Sequence, residues 1–286
     1  MEQKILILGA NGMLGHALAE IFADQNPILW DSADLDITKA DQVKTKLAEL
    51  KPTLILNAAA YTDVDCAERN KELANSVNGY GVGYLAKAAK ELGAILVHYS
   101  TDYIFDGKNK NGYKENDPTN PISAYGFSKQ LGEQQLQQNC EMYYLIRSSW
   151  LFGEYGGKNF VKRILTKAQN QRKLKVVNDH FGKPTYAKDL AAKTREIINQ
   201  QKPCGIYHVT NETMPEGISW YDLAKKAVEL VGLKTEVVPC SSAEFPQPAK
   251  RPKYAMLVNT KLKPMRSWEE ALEEYLNLGS GIKENS

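Results

Sequence analysis

Short, largely apolar runs alternate with stretches of helical periodicity through the first half of the chain. Residues 4–8, 28–31, 53–57, 94–100 and 142–147 are too short for helices and apolar on both faces, as strands of a buried parallel sheet are. Between them the spacing predicts helices over residues 13–23, 39–50, 72–92 and 123–138. Alternation of this kind predicts an α/β fold of Rossmann type, a doubly wound parallel sheet with helices on both faces. Beyond Trp150 the rhythm loosens. Helices are expected over 158–170, 187–200, 219–230 and 268–276, and short strands over 174–177, 206–209 and 236–238. Prolines from Pro184 to Pro264 punctuate them. We expect a dinucleotide-binding domain over 1–150 and a smaller α/β substrate region over 151–286, packed partly back onto the first. Residues 279–286 are expected to fray.

Composition removes whole classes of function. With 43% hydrophobic and 24% charged residues, the 286-residue chain is no disordered polymer, and its length fits one large domain or two intimate ones. Its 36 basic and 34 acidic residues leave a net charge of +2, which argues against general nucleic-acid binding. No apolar run approaches the ~18 residues of a membrane span, and the first residues lack the pattern of a signal peptide. Cys66, Cys140, Cys204 and Cys240 lie far apart without a C-x-x-C, as reduced thiols do. The four histidines are equally scattered, so no metal cluster is expected. A soluble cytoplasmic protein, without membrane or nucleic-acid partners, is the expectation.

Chemistry enters at the end of the first strand. Gly9-Ala-Asn11-Gly12-Met13-Leu14-Gly15 joins a strand to a helix. A tight turn there needs a residue that tolerates positive φ, and a pyrophosphate needs bare backbone and helix N-terminal amides. Asp31 closes the second strand, where a carboxylate bonds the adenosine ribose in dinucleotide sites. Asp36 and Ile37 lie where they would flank adenine. Gly79-Tyr-Gly81-Val-Gly83 follows no strand; its small residues suit close helix packing better than phosphate binding.

Tyr125 and Lys129 are four residues apart on one helical face. A phenol near a cation has its pKa lowered and can exchange a proton with a hydroxyl or carbonyl while hydride moves. Thr101, at the end of the fourth strand, is placed to bond the same oxygen. Together with the strand-loop Asn57-Ala58-Ala59-Ala60 and the helical Asn78, this chain resembles the short-chain dehydrogenase/reductase superfamily, in its extended branch that acts on nucleotide sugars.

Longer motifs narrow the resemblance to the dTDP-4-dehydrorhamnose reductase family. They are Asn57-Ala-Ala-Ala-Tyr-Thr62 with Val64-Asp65-Cys-Ala-Glu68; His98-Tyr-Ser-Thr101-Asp102-Tyr103-Ile-Phe-Asp-Gly107; Arg147-Ser-Ser-Trp150-Leu-Phe-Gly153 with Asn159-Phe160; Val177-Asn-Asp179; Gly182-Lys-Pro-Thr185; and Arg251-Pro252. The resemblance implies NADPH- or NADH-dependent reduction of the 4-keto group of dTDP-4-dehydro-L-rhamnose to dTDP-L-rhamnose. It makes Tyr125 the proton donor, Lys129 its electrostatic partner and a ribose ligand, and Thr101 the group that polarises the ketone. Gly9, Asn11, Gly12, Met13, Leu14, Gly15, Asp31, Ala58, Ala59 and Ala60 would line the cofactor. Thr62, Val64, Asp102, Tyr103 and Trp150 would surround the sugar, with Asn159 and Arg251 on the nucleotide diphosphate. Asp31 should repel a 2′-phosphate, yet the family tends to accept NADPH, so use of both cofactors is expected.

Other features leave alternatives open. Asp63 and His180 depart from the family pattern. Some members bind a divalent metal at a dimer contact through acidic residues; here the stretches read His16-Ala17 and Ala187-Lys188, so no metal is expected, and the state is a monomer or weak homodimer. Trp150 suits a core position as well as a site, His98 a satisfied core imidazole, and Arg251 a basic surface cluster with Lys250 and Lys253. Nucleotide-sugar dehydratases place Asp-Glu after the threonine, whereas Tyr103 follows Asp102 here. A related epimerase or 4-ketoreductase, or a binding-only subunit resembling the regulatory subunit of methionine adenosyltransferase, is the alternative.

Overall fold

The computed structural model describes residues 3–155 and 159–278. Residue 158 and the segment 279–286 lie outside the described residues. The first half comprises β1 (Ile5–Leu8), α1 (Met13–Ile21), β2 (Ile28–Trp30), α2 (Ala40–Leu50), β3 (Leu54–Asn57), α3 (Val64–Arg69), α4 (Lys71–Asn75), α5 (Gly81–Leu92), β4 (Ile95–Thr101), α6 (Ala124–Asn139) and β5 (Tyr143–Ser148). The second half comprises β6 (Leu151–Phe152), α7 (Phe160–Asn170), β7 (Lys173–Val177), β8 (Phe181–Gly182), β9 (Thr185–Tyr186), α8 (Ala187–Asn199), β10 (Gly205–His208), β11 (Ile218–Ser219), α9 (Trp220–Leu230), β12 (Glu236–Cys240) and α10 (Trp268–Leu278).

Six strands form a parallel sheet in the order β10-β5-β4-β3-β1-β2. The doubly wound Rossmann-type architecture expected from the pattern is present. Along β1 the side chains divide between two cores. Ile5 and Ile7 pack under α1 and α8, while Leu6 and Leu8 pack under α2, α5 and α6. A strand with a core on each face must be apolar throughout, which is why these runs do not alternate. The chain reverses its winding direction at β1, between β2 and β3, and in open α/β sheets the crevice beyond the carboxyl ends at such a switch holds the ligand.

A third core lies between α7, α9 and α10, built on Phe152, Leu165, Leu174, Tyr186, Leu223 and Leu272. The sheet's sixth strand, β10, comes from beyond residue 150, and α8 packs on α1. The second half therefore returns one strand and one helix to the first layer.

The single helix expected over 72–92 is instead interrupted. α4 and α5 are joined by a π-helical turn, Ser76–Tyr80. A 3.6-residue pattern cannot register one extra residue in a turn, and the cause lies outside the helix. The side chain of Asn78 donates to the Tyr61 carbonyl (2.9 Å) and the Ser128 hydroxyl (3.0 Å) and accepts from the Tyr61 amide (2.8 Å). π-Turns of this kind are frequent beside functional sites. Gly79 and Gly83 face Leu131 and Gln135 of α6 at close range, the packing role expected of that glycine run.

Candidate active site

The glycine loop meets the ends of β2 and β3 at the carboxyl edge of the sheet. Gly9 has φ +71, and a side chain there would place Cβ 2.7 Å from the Ala59 amide nitrogen, so only glycine fits. A Cβ on Gly15 would overlap the Gly9 carbonyl oxygen. Gly12 caps α1 without a side-chain bond, and the helix has no acidic residue in its first turn. Its N-terminal amides and dipole are thus open to an anion. Met13 and Leu14 begin that helix, and Leu14 is buried in the core below it. The Asp31 carboxylate accepts from the Asn11 amide (3.0 Å) and the Ser32 amide (2.6 Å), and these bonds hold it below the usual carboxylate range. Asp31 lies one residue past β2 rather than within it. Asp36 accepts from the amide and hydroxyl of Thr38, while Ile37 is buried against Gly81. Ala58 and Ala59 are half-buried beyond β3, and Ala60 is exposed.

The residues expected to carry the chemistry come together from β4 and α6. Ser123 caps α6 by accepting from the Gly126 amide (3.1 Å), so Tyr125 lies in the helix's first turn. The Tyr103 ring stands edge-on to Tyr125 with centroids 5.6 Å apart. Burial, reinforced by the Asp102 charge and opposed by a hydrogen bond with Thr101, pushes the Tyr125 phenol up to about 12. The direction reverses the lowering expected from a nearby cation, because desolvation outweighs it and Lys129 is engaged elsewhere. The Thr101 hydroxyl donates to Asp102 Oδ1 (2.9 Å) and accepts from the Tyr103 amide (3.2 Å). Asp102 is 2% exposed, and its Oδ2 has no hydrogen-bond partner among the described residues. Burial raises this carboxyl to about 7 despite the bond from Thr101.

Lys129 is buried, and its ammonium donates to the Tyr99 carbonyl (2.6 Å). The His98 ring lies between Lys129 and the strand-loop, with Nε2 3.3 Å from Lys129 Nζ and Nδ1 3.1 Å from Asn57 Nδ2. Burial first, then the Lys129 charge, holds His98 well below its ordinary value, so the ring is neutral. Burial draws Lys129 down to about 8, with Glu133 one turn on opposing the shift. The sequence marked His98 as a core residue; its contact with Lys129 depends on α6 packing over β4, and the register of β3 on β4 sets Asn57 on its other side.

Residues expected on the substrate side come from both halves. Thr62 is exposed and Val64 half-buried at the start of α3. Asp63 is the N-cap of that helix, accepting from the Cys66 amide (2.9 Å), which accounts for an aspartate there. Arg251 is held by Asp65, a partner the sequence reading did not assign, with Nη2–Oδ2 2.8 Å and Nη1–Oδ1 3.2 Å. No local signal joins two residues 186 apart. His180 is half-buried near Asp179, Arg251 and Lys253, and burial lowers its pKa. Trp150 has φ 49 and stacks on Trp220 with centroids 3.5 Å apart, against Gly182. Asn159 caps α7, accepting from the Lys162 amide (2.8 Å) and donating to the Gly153 carbonyl (2.9 Å) and the Tyr275 hydroxyl (3.2 Å). Both its amide hydrogens are thereby spent. Among the described residues no group of three His, Cys, Asp or Glu side chains is arranged to hold a metal, and no helix is long and apolar enough to cross a membrane.

Residues 3–280 match the family model described as the RmlD substrate binding domain. The chain is 36% identical to the spore coat polysaccharide biosynthesis protein SpsK of Bacillus subtilis, over 96% of each chain. It is 39% identical to a dTDP-4-dehydrorhamnose reductase of Aggregatibacter actinomycetemcomitans, covering 94% of this chain and 97% of that one. A solved dTDP-4-dehydrorhamnose reductase from Bacillus anthracis, in complex with NADP, superposes with TM-score 0.93 at 37% identity over 97% of this chain and 100% of that one.

Proposed function

The chain belongs to the family of the RmlD substrate binding domain, and we propose that it reduces the 4-keto group of dTDP-4-dehydro-L-rhamnose to give dTDP-L-rhamnose, with NADPH as hydride donor and NADH tolerated. The observation that carries this reading is the placing of Tyr125, half-buried, beside the Thr101 hydroxyl and edge-on to Tyr103, in a chain whose glycine loop leaves bare backbone for a dinucleotide.

The crevice fits a dinucleotide: Gly9 leaves bare backbone, α1 presents uncapped amides, and Asp31 is ionised at the ribose position. A nicotinamide cofactor bound there supplies the hydride. Tyr125, a phenol at neutral pH, is in the protonation state a donor needs and gives its proton to the oxygen that the hydride leaves anionic. Thr101 has one hydroxyl hydrogen, shared at rest with Asp102. Once the Asp102 carboxyl is protonated, it donates to Thr101, and the threonine hydrogen turns to the keto oxygen. Lys129, fixed on the Tyr99 carbonyl, contributes positive potential that favours the phenolate left behind and offers its remaining hydrogens to the ribose. Arg251 serves the diphosphate, and Asn159 holds α7 in place beside it. Thr62, Val64, Tyr103 and Trp150 enclose the sugar.

The test is cofactor oxidation in the presence of the 4-keto nucleotide sugar, with the product identified as dTDP-L-rhamnose. Cofactor binding without reduction of any 4-keto sugar nucleotide would instead favour a binding-only role.

A further inference from the structure

Asp65 begins α3, whose N-cap Asp63 fixes the orientation of the first turn. Its two oxygens take the Arg251 guanidinium in a two-point pair, and Oδ1 also accepts from the Ala249 amide (3.1 Å). Arg251 Nη1 in turn donates to the Ala249 carbonyl (2.9 Å). Segment 249–251 and α3 are therefore closed into one hydrogen-bonded ring. A guanidinium has five N–H donors. Three act in this ring, which leaves Nε–H and one Nη2–H outside it among the described residues. The arginine is already dehydrated on one side, with its side chain 19% exposed against 36% for Asp65.

The pair stands within electrostatic reach of Tyr103. The charges of Arg251 and Asp65 both act on the Tyr103 phenol, and Arg251 also acts on His180. Tyr103 in turn packs on Tyr125. An ion pair this exposed is a weak staple for the fold. Its geometric effect is large, because a free arginine samples many rotamers whereas a forked pair fixes the plane of the guanidinium.

We propose that Asp65 is a positioning residue: it locks Arg251 in the wall of the substrate cleft so that the two N–H groups outside the pair meet the diphosphate of the nucleotide sugar. The inference rests on the nucleotide-sugar reading above. Asp65 also cancels the arginine's charge, so the cleft selects its ligand by hydrogen-bond geometry rather than by net attraction. A phosphorylated metabolite without the nucleoside gains little from such a site.

The experiment compares wild type, Asp65→Asn and the charge-swapped double variant Asp65→Arg/Arg251→Asp. It measures KM and kcat for the sugar nucleotide, Kd for dTDP alone and for NADPH, and thermal stability. Asp65→Asn is expected to raise KM and the dTDP Kd about tenfold, the worth of one well-placed hydrogen bond, with kcat and NADPH affinity nearly unchanged. The double variant re-forms the pair and recovers any lost thermal stability, yet its dTDP affinity stays weak, because the guanidinium now projects from α3. Unchanged dTDP affinity in Asp65→Asn overturns the proposal. So does recovery of affinity in the double variant, which would make the pair a clasp and nothing more. Wild-type protein that binds no dTDP overturns the nucleotide-sugar reading and this inference together, an outcome distinct from the other two.

Discussion

The ammonium of Lys129 rests 2.6 Å from the carbonyl oxygen of Tyr99, on the strand rather than on the phenol four residues before it. Tyr125 and Lys129 share a helix face, but β4 claims the lysine. The tyrosine is left to burial and to Asp102, both of which keep its proton on. A reductase needs that state, since its tyrosine must give a proton before it can take one back.

Replacing Tyr125 by Phe removes the donor and little else. Turnover is expected to fall ~10²–10⁴-fold, the usual worth of a positioned proton donor. NADPH affinity should stay near that of wild type. Stopped-flow reduction together with cofactor titration checks both halves, and near-normal turnover would take the proton-donor role away from Tyr125.

Cofactor preference turns on Asp31. Its ionised carboxylate, held low by the Ser32 and Asn11 amides, suits a ribose hydroxyl and repels a 2′-phosphate. Asp31→Ala should raise the ratio of kcat/KM for NADPH over NADH by about tenfold, the effect of removing one unfavourable charge contact. A ratio that does not move would mean the carboxylate faces neither ribose.

Asp102 predicts the shape of the stability curve. Its pKa is raised on folding, from 3.8 to about 7, so between these values the folded state binds the proton that the unfolded state releases. Its contribution is full below pH ~4 and is lost as pH rises through ~7. Unfolding of the ligand-free protein should become easier over that interval by a few kcal/mol, as a shift of this size implies. In Asp102→Asn this part of the slope should vanish. Denaturant titrations at several pH values measure it; an unchanged slope in the variant would show that other groups set it.

Gly132 of α6 lies against the backbone of the π-turn, where a Cβ would overlap the Asn78 carbonyl oxygen. Gly132→Ala should cost about 1–3 kcal/mol, the range for overpacking a well-filled interior. It should also disturb the bond from Asn78 to Ser128, the residue just before Lys129. A variant as stable as wild type, with unchanged kinetics, would show that the two helices part without consequence.

The strands of the first half, the glycine loop and the Tyr125–Lys129 spacing were legible because each obeys a local rule: period, steric need, helical face. Asp31 was legible by its distance from the loop. The π-turn was not, since it arises from the bonds of Asn78 to Tyr61 and Ser128 rather than from the sequence of its own helix. Nor was the strand Gly205–His208 as the sixth member of the sheet, because a short apolar run does not say which neighbour it will pair with.

The amino-acid sequence by itself determined the α/β class, the place of the glycine turn and the types of groups available for proton transfer. These follow from residue spacing and backbone sterics, which act within a few residues. Tertiary structure alone decided that Lys129 bonds the Tyr99 carbonyl, that Asp102 is buried enough to hold a proton, and that Asp65 holds Arg251 across 186 residues. Burial and ion pairing depend on which distant segments exclude water from a group, and that is settled only when the sheet, its helices and the returning second half close together.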